Sequence, residues 1–218
     1  MMKVIIIVLI IICIYLLFGK YCYELFVMTP IKSKIDDNTY KVVSFYSDKE
    51  TASDLIAQMN IFAEKLIKKL KQVYIDNPSE EFKKTKEYEK GYEITVLLLK
   101  RFNPRSVVEN YSTSPEITSY TTNKGESINM CLREKLSGEY KFHDIDTLQF
   151  VFIHELAHIV TIEMNHVVSF WINFKFLLEF CNKYDLYKTK NYNIENVNYC
   201  GMEITYSPIQ DKILPSYF

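Results

Sequence analysis

The sequence predicts an α+β domain, made of helices and a small antiparallel-rich sheet, preceded by an N-terminal transmembrane helix. Three observations support this fold class. Residues 4–18 form an uninterrupted apolar run, several long segments carry apolar residues at helical spacing, and two β-rich segments flank a turn. About 190 residues remain after the predicted transmembrane anchor, which is enough for one hydrophobic core.

The apolar run at residues 4–18 lies between Lys3 and Lys20. With Gly19 it would form a helix of about 24 Å, shorter than the roughly 30 Å hydrocarbon core of a bilayer. The difference disappears if the flanking lysines snorkel or if residues 21–23 join the helix. A cleaved signal peptide is the alternative. Because no small-x-small cleavage site follows the run, an uncleaved single-pass membrane anchor is favoured.

The anchor divides the chain into three predicted parts. Residues 1–23 are the transmembrane anchor, residues 24–39 are a juxtamembrane linker, and residues 40–218 are the folded domain. More lysines follow the span than precede it, so the positive-inside rule leans slightly towards a cytoplasmic domain. The net charge is −1, with acidic and basic residues interspersed, and nucleic acid is therefore not an expected partner.

The first half of the domain shows a strand followed by two helices. Residues 40–46 alternate as a strand does, and Ser47 with Glu50 forms a capping box for a long helix that ends near residue 74. A second helix is predicted for residues 80–102, between two Asn-Pro pairs that break helices. The apolar face of the long helix is predicted to be core.

The second half begins with a predicted hairpin. Residues 117–122 and 127–133 are β-rich, and Gly125 lies in the turn between them. An edge strand beside a metal-binding helix is expected to pair with an extended peptide through backbone hydrogen bonds. The sequence does not identify which strand lies at the edge.

Two helices complete the predicted order. Asp146 with Gln149 caps a helix that carries the sequence His-Glu-Leu-Ala-His at residues 154–158. Residues 167–184 form the next helix, in which Trp171 lies on the apolar face. We expect this tryptophan to pack against neighbouring side chains rather than to contact a substrate.

The pentapeptide at residues 154–158 is the most informative feature of the chain. On a helix, His154 and His158 lie one above the other, so both imidazoles reach one metal ion. Glu155 points beside that ion, where a carboxylate acts as a general base. The flanking residues are mostly apolar, as a buried helix beside a dry metal site requires. The motif indicates a zinc-dependent hydrolase with Glu155 as the catalytic base.

A third metal ligand must come from outside this turn, because a catalytic zinc ion takes three protein ligands and leaves a position for water. His166 is favoured. On an unbroken helix it would lie about 12 Å from His158 along the axis, so the chain must bend, and Asn165 tolerates the left-handed conformation that a bend needs. Glu179 on the following helix is the alternative ligand. His143 is expected to be a supporting or surface residue.

Two further patterns concern the kind of metalloprotease and the role of the cysteines, and the first of them excludes a metzincin. The metzincin sequence would have Gly at position 161 and His at position 164, where this chain has Thr161 and Met164. Of the five cysteines, Cys13 lies in the predicted span, and the other four are widely spaced without a C-x-x-C motif. The cysteines therefore form no obvious zinc or disulfide framework.

The motif, followed by Asn165-His166 and then by Phe170-Trp171, resembles the WLM and SprT-like group of zinc metallopeptidases. The resemblance covers residues 128–180, extends to residues 199–203, and points to uncharacterised membrane-anchored members from giant DNA viruses. It implies a zincin-like metallopeptidase domain that hydrolyses peptide bonds with Glu155 as the base. It also implies a Zn²⁺ cofactor held by three histidines: His154, His158 and His166.

These observations predict a membrane-anchored zinc metallopeptidase that acts on a protein or peptide. The alternative is a non-catalytic protein, in which zinc only stabilises a membrane-bound scaffold or interaction domain. Glu155 counts against this alternative, because a structural zinc site needs no base and normally closes with a fourth protein ligand. Tyr199 and Tyr206 are candidate donors to an oxyanion, although the chain has 17 tyrosines.

Overall fold

The computed structural model describes Gly19, residues 26–136 and residues 138–218. The predicted anchor at residues 1–23 therefore lies outside the described residues, apart from Gly19. Within the described ranges, no helix combines the length and the apolar character that a membrane crossing requires. These ranges contain four α-helices and seven short strands, which confirms the predicted α+β class.

Two antiparallel hairpins lie towards the two ends of the described chain. In the first, β1 (Met28–Lys32) pairs with β2 (Thr39–Val43). In the second, β6 (Val197–Tyr199) pairs with β7 (Met202–Ile204). Part of the segment predicted as a juxtamembrane linker, residues 24–39, thus belongs to the sheet structure of the domain. Pattern alone did not separate β1 from a linker, because this short strand contains a proline and a lysine.

A three-stranded sheet lies beside the motif helix. Its central strand is β5 (Ser127–Met130), which pairs antiparallel with β4 (Tyr120–Thr122) and parallel with β3 (Val107–Glu109). The predicted hairpin is confirmed, and Gly125 in its turn has φ +111°. A Cβ there would lie 2.7 Å from the carbonyl oxygen of Arg101, so the turn packs too closely for a side chain. Strand β4 lies at an edge of the sheet.

The four helices supply most of the core. They are α1 (Lys49–Lys71), α2 (Lys86–Arg101), α3 (Ile145–Val160) and α4 (Val168–Lys183). Each contributes fully buried side chains to one hydrophobic cluster, and α3 is buried along most of its length. A π-helical turn (Gln72–Asp76) extends α1, so the helical segment ends close to the predicted end near residue 74. Burial of α3 positions the motif inside the domain.

The N-caps of α1 and α3 differ from the predicted ones. Asp48, not Ser47, is the N-cap of α1, and its side chain makes no capping hydrogen bond. Its carboxylate instead pairs with Arg133 at 2.8 Å. Asp144, not Asp146, caps α3 by accepting a hydrogen bond from the Thr147 amide. The predicted cap was therefore wrong by one residue for α1 and by two residues for α3. At α1 the Asp48 side chain pairs with Arg133, and at α3 a second aspartate occupies the cap position.

The guanidinium of Arg133 joins elements that are distant in sequence. It is almost fully buried and donates to the Glu109 carboxylate through Nε at 2.8 Å. The other oxygen of Glu109 accepts from the Val43 amide at 2.8 Å. Burial raises the pKa of the Glu109 carboxyl, and the Val43 amide and Arg133 oppose that shift. The group connects β2 with β3 and, through Asp48, with the start of α1.

A disulfide bond joins Cys131 to Cys200, with a Cα–Cα distance of 6.3 Å. The prediction that the cysteines form no disulfide framework was therefore wrong. The two residues are 69 positions apart, and such a spacing carries no signal in a single sequence. The bond fixes the β6–β7 hairpin to the end of β5. Next to it, the hydroxyl of Tyr199 donates to the Cys131 carbonyl oxygen at 2.8 Å.

We predict that removing this disulfide lowers the stability of the domain. Its loop of 69 residues corresponds to about 4 kcal/mol of constraint on the unfolded chain, and measured losses run to about 2–5 kcal/mol. The test compares urea unfolding of wild type with that of Cys131→Ala/Cys200→Ala. Reductant should destabilise wild type and leave the double variant unchanged. Equal unfolding midpoints for the two oxidised proteins would contradict the prediction.

Candidate metal centre

Helix α3 presents the motif because both of its ends are fixed. At its start, the Asp144 carboxylate accepts from the Thr147 amide at 3.0 Å and from the Thr147 hydroxyl at 2.7 Å. At its end, the Thr161 hydroxyl donates to the Ala157 carbonyl at 2.7 Å. The Thr161 hydroxyl also accepts from the side-chain amide of Asn173 on α4 at 2.9 Å. The end of α3 is thereby tied to the next helix.

The chain reverses between α3 and α4, as the third-ligand argument required. Asn165 takes the left-handed conformation with φ +65°. Glu163 fixes the loop from two sides, because its carbonyl accepts from Lys124 and its carboxylate accepts from Ser169 at 3.0 Å. Lys124 belongs to the β4–β5 turn, so the hairpin helps to hold the loop. The reversal returns His166 to the motif histidines.

The three histidines converge on one point. Nε2 of His158 lies 3.2 Å from Nε2 of His154 and 3.1 Å from Nε2 of His166. Nε2 of His166 lies 3.1 Å from that of His154. Among the described residues, these are the one group of three or more His, Cys, Asp or Glu residues whose ligand atoms all lie within 4.8 Å of one another. His154 and His158 are half-buried, and His166 is exposed.

The donor set fits a zinc ion. Zinc lies about 2.0–2.1 Å from a histidine nitrogen, which places tetrahedral ligand nitrogens roughly 3.3 Å apart. The observed separations of 3.1–3.2 Å are close to this value. In a neutral imidazole, each ring nitrogen is either a donor or an acceptor, so three nitrogens aimed at one point cannot all satisfy one another. A bound cation satisfies all three.

Aromatic rings hold the imidazoles in place. The Phe170 ring is fully buried and lies 4.8, 4.3 and 4.7 Å from the rings of His154, His158 and His166, respectively. Trp171 packs against His166 at 5.5 Å, as the expected packing role implies. These contacts form an apolar floor under the cluster, which restricts the rotamers of all three ligands.

Desolvation favours the neutral form of the three imidazoles, which is the form that binds metal. Desolvation lowers the pKa of His154 well below its ordinary value, and His158 and His166 add repulsion of the charged form. Desolvation, with repulsion from His166 and Lys124, lowers the pKa of His158 to about 4. Desolvation also lowers the pKa of His166. At neutral pH, the cluster therefore presents lone pairs and not positive charges.

The Glu155 carboxylate lies beside the cluster in an apolar environment. The residue is 2% exposed, and its Oε2 accepts a hydrogen bond from the Thr121 hydroxyl at 2.8 Å. Desolvation raises the pKa of Glu155 to about 7, and the Thr121 hydrogen bond opposes that shift. A carboxylate with a pKa near neutrality can both take and return a proton. Thr121 belongs to β4, so the edge strand contacts this carboxylate directly.

The other candidate residues do not belong to the histidine cluster. The Glu179 carboxylate is 3.9 Å from the amine of Lys175 on the same helix, and it is not in the metal-ligand group. His143 accepts from the Cys200 amide at 3.2 Å, next to the disulfide. The Tyr199 hydroxyl donates to the Cys131 carbonyl oxygen, and the Tyr206 hydroxyl donates to the Asp211 carboxylate at 2.9 Å. Both tyrosine hydroxyls therefore already have acceptors.

Two residues of the site carried no recognisable signal in the sequence. Thr121 was placed in a predicted strand, but nothing local indicates that its hydroxyl reaches Glu155. Phe170 lies in the helix predicted for residues 167–184, yet its contact with all three histidines depends on the chain reversal. Each role arises from a contact between distant elements, which a single sequence does not reveal.

Comparison with known proteins gives a family assignment. The model of the WLM domain family matches residues 64–211, which include the whole histidine cluster. The uncharacterized protein R325 of Acanthamoeba polyphaga mimivirus is 30% identical over 177 residues, covering 80% of this chain and 81% of that protein. The uncharacterized protein 136R of Invertebrate iridescent virus 6 is 31% identical over 103 residues, covering 47% of this chain and 56% of that protein.

No solved structure gives a significant match to this chain. The family match extends over most of the domain, and the mimivirus protein aligns along most of its own length. The resemblance inferred from the motif and its flanking residues is thereby confirmed. The chain belongs to the WLM domain family, a metallopeptidase-like family.

Proposed function

We propose that this protein is a membrane-anchored zinc metallopeptidase that hydrolyses peptide bonds in proteins or peptides. One observation carries the proposal: three imidazole nitrogens converge within 3.2 Å of one another, next to a buried carboxylate that is not a member of the cluster. A purely structural zinc site would normally close with a fourth protein ligand. Three ligands and a separate base are the arrangement of a catalytic site.

His154, His158 and His166 would hold Zn²⁺, which supplies Lewis acidity towards water and a carbonyl oxygen when bound. The chain's own residues move the proton. Glu155 takes a proton from the attacking water and delivers it to the nitrogen of the leaving amine. The low polarity around Glu155 suits both steps, because neither of its protonation states is strongly preferred near neutral pH.

Strand β4 is the proposed partner of the substrate backbone. It lies at the edge of the three-stranded sheet, and its Thr121 contacts Glu155. A peptide that pairs with this strand would pass in front of the histidine cluster in an extended conformation. Backbone pairing is tolerant of sequence, so it supplies affinity without selecting particular side chains.

The apolar run at residues 4–18 supports a membrane location for the domain. The side of the membrane is a separate question. The lysine distribution leans slightly to the cytoplasm, but the Cys131–Cys200 disulfide is typical of proteins that form in an oxidising environment. The disulfide is the stronger indication, because a disulfide bond forms only under oxidising conditions and the lysine bias is slight. We therefore propose that the domain folds in an oxidising environment.

The first test of the function is zinc binding by the full-length protein in detergent. Wild type should bind about one zinc ion per chain. His166→Ala should reduce the stoichiometry to well below half, because two imidazoles remain. Glu179→Gln is the matched control and should keep full stoichiometry. Elemental analysis after dialysis measures all three proteins, and full zinc retention by His166→Ala would exclude it as a ligand.

The second test is the role of Glu155 in catalysis. Glu155→Gln preserves the shape of the side chain and removes the base, so it should keep zinc and lose about 10²–10⁴-fold in cleavage rate. The assay uses an unfolded protein as substrate and follows its fragments by electrophoresis. Glu64→Gln, which changes an exposed carboxylate on α1 away from the histidine cluster, is the control and should retain activity. Equal cleavage by wild type and Glu155→Gln would exclude the proposed mechanism.

A further inference from the structure

An apolar pocket opens beside the catalytic carboxylate. Its volume is about 230 Å³, and it lies between α3, α4 and the β6–β7 hairpin. Besides His154 and Glu155, half of the lining residues are large and apolar: Phe150, Val151, Trp171, Phe174, Met202 and Ile204. The other half carry a hydroxyl or a carboxylate: Thr118, Ser119, Tyr199, Glu203, Thr205 and Tyr206. The proposed hydrolysis does not itself require this pocket.

We propose that this pocket receives one large apolar or aromatic side chain, from the substrate residue whose amine leaves. The inference rests on the proposed function and names its substrate class. Peptide bonds followed by Phe, Tyr, Leu or Met would be cleaved in preference to bonds followed by small or acidic residues.

The position of the pocket identifies the substrate residue. His154 and Glu155 line the pocket, whereas His158 and His166 do not, so it opens on the base side of the cluster. Glu155 delivers its proton to the leaving amine. The residue that carries this amine must therefore lie next to Glu155, and its side chain has the pocket directly beside it.

The size and chemistry of the pocket identify the side chain. A pocket for a whole drug-sized ligand has about 300–1,000 Å³, so the observed 230 Å³ suits one side chain. An acidic side chain would meet the carboxylates of Glu155 and Glu203 in a largely apolar space. None of the described residues that line the pocket is Lys or Arg. Apolar atoms form the larger part of the pocket surface, so burial of apolar surface is the main favourable interaction.

The walls of the pocket are held in place before any substrate binds. Trp171 packs edge-to-face on Tyr206, with ring centroids 5.1 Å apart and an interplanar angle of 90°. The hairpin on the opposite side is fixed by the disulfide through Cys200. A preformed pocket loses little conformational freedom when it is filled, so the shape of the pocket translates into selectivity.

The first measurement maps cleavage sites. Full-length wild type with zinc digests an unfolded protein, and mass spectrometry identifies the residue after each cut. We expect Phe, Tyr, Leu and Met there at least about tenfold more often than Ala, Gly or Asp, relative to their abundance. Cleavage without such a preference overturns the inference and leaves the proposed function intact. Absence of any zinc-dependent cleavage overturns the proposed function.

A pair of variants tests the pocket itself. Val151→Phe places a ring inside the pocket and should reduce the preference for large side chains over Ala by about tenfold. Val168→Phe is the matched control, because Val168 is 68% exposed on α4 and does not line the pocket. It should leave the preference unchanged. Equal preferences in wild type and Val151→Phe would overturn the inference.

A binding measurement decides the inference without any catalysis. Trp171 is the one tryptophan of the chain and lies in the pocket wall, so its fluorescence reports occupancy. Glu155→Gln protein is titrated with two blocked peptides that differ only by Phe or Ala at the residue assigned to the pocket. A saturable change with the Phe peptide, at least about tenfold tighter than with the Ala peptide, supports the inference. Identical titrations overturn it, even if Val151→Phe fails to fold.

Discussion

The convergence of three imidazole nitrogens on one point is the constraint on which the site depends. In the absence of a cation, lone pairs 3.1–3.2 Å apart repel one another, so the arrangement must be enforced by the rest of the domain. Thr161 and Asn173 tie the two helices together, and Lys124 and Ser169 hold Glu163 in the loop between them. Metal binding removes the repulsion, so it should stabilise the same fold that creates the site.

The buried carboxylate of Glu155 places a second demand on the structure. An isolated charge in an apolar environment is costly, and the protein responds by raising the pKa of the group instead of pairing it with a base. One hydroxyl from β4 offsets part of the desolvation. The result is a carboxyl group that exchanges a proton readily near neutral pH. A lysine or arginine partner would have fixed it as a permanent anion and removed this property.

Those parts of the site that are encoded locally could be predicted from the sequence. The spacing of His154 and His158 on a helix, the need for a reversal before His166 and the turn at Gly125 all follow from the conformational preferences of neighbouring residues. The predicted N-cap of α1 was wrong because the Asp48 side chain pairs with Arg133, which is 85 residues away in sequence. The remaining contacts join distant elements, and their residue types are too common to identify the partners.

The position of Phe170 also depends partly on local sequence and partly on contacts between distant elements. Phe170 belongs to an apolar helix face, which the helical spacing predicts. Its position under the histidines requires the angle between α3 and α4, and that angle is set by side-chain packing and by the Thr161–Asn173 hydrogen bond. A single sequence specifies the face of each helix, but not the face that it meets.

The disulfide connects the selectivity of the pocket with the conditions of folding. Cys131 and Cys200 are at most 2% exposed, and thiol–disulfide exchange requires direct access of a thiolate to a sulfur atom. Once the bond has formed and the domain has folded, reductants reach it slowly. Its presence therefore reports the environment in which the domain folds more than the environment in which it acts. The hairpin wall of the pocket is set during folding, so the proposed choice of side chain would be fixed before any peptide binds.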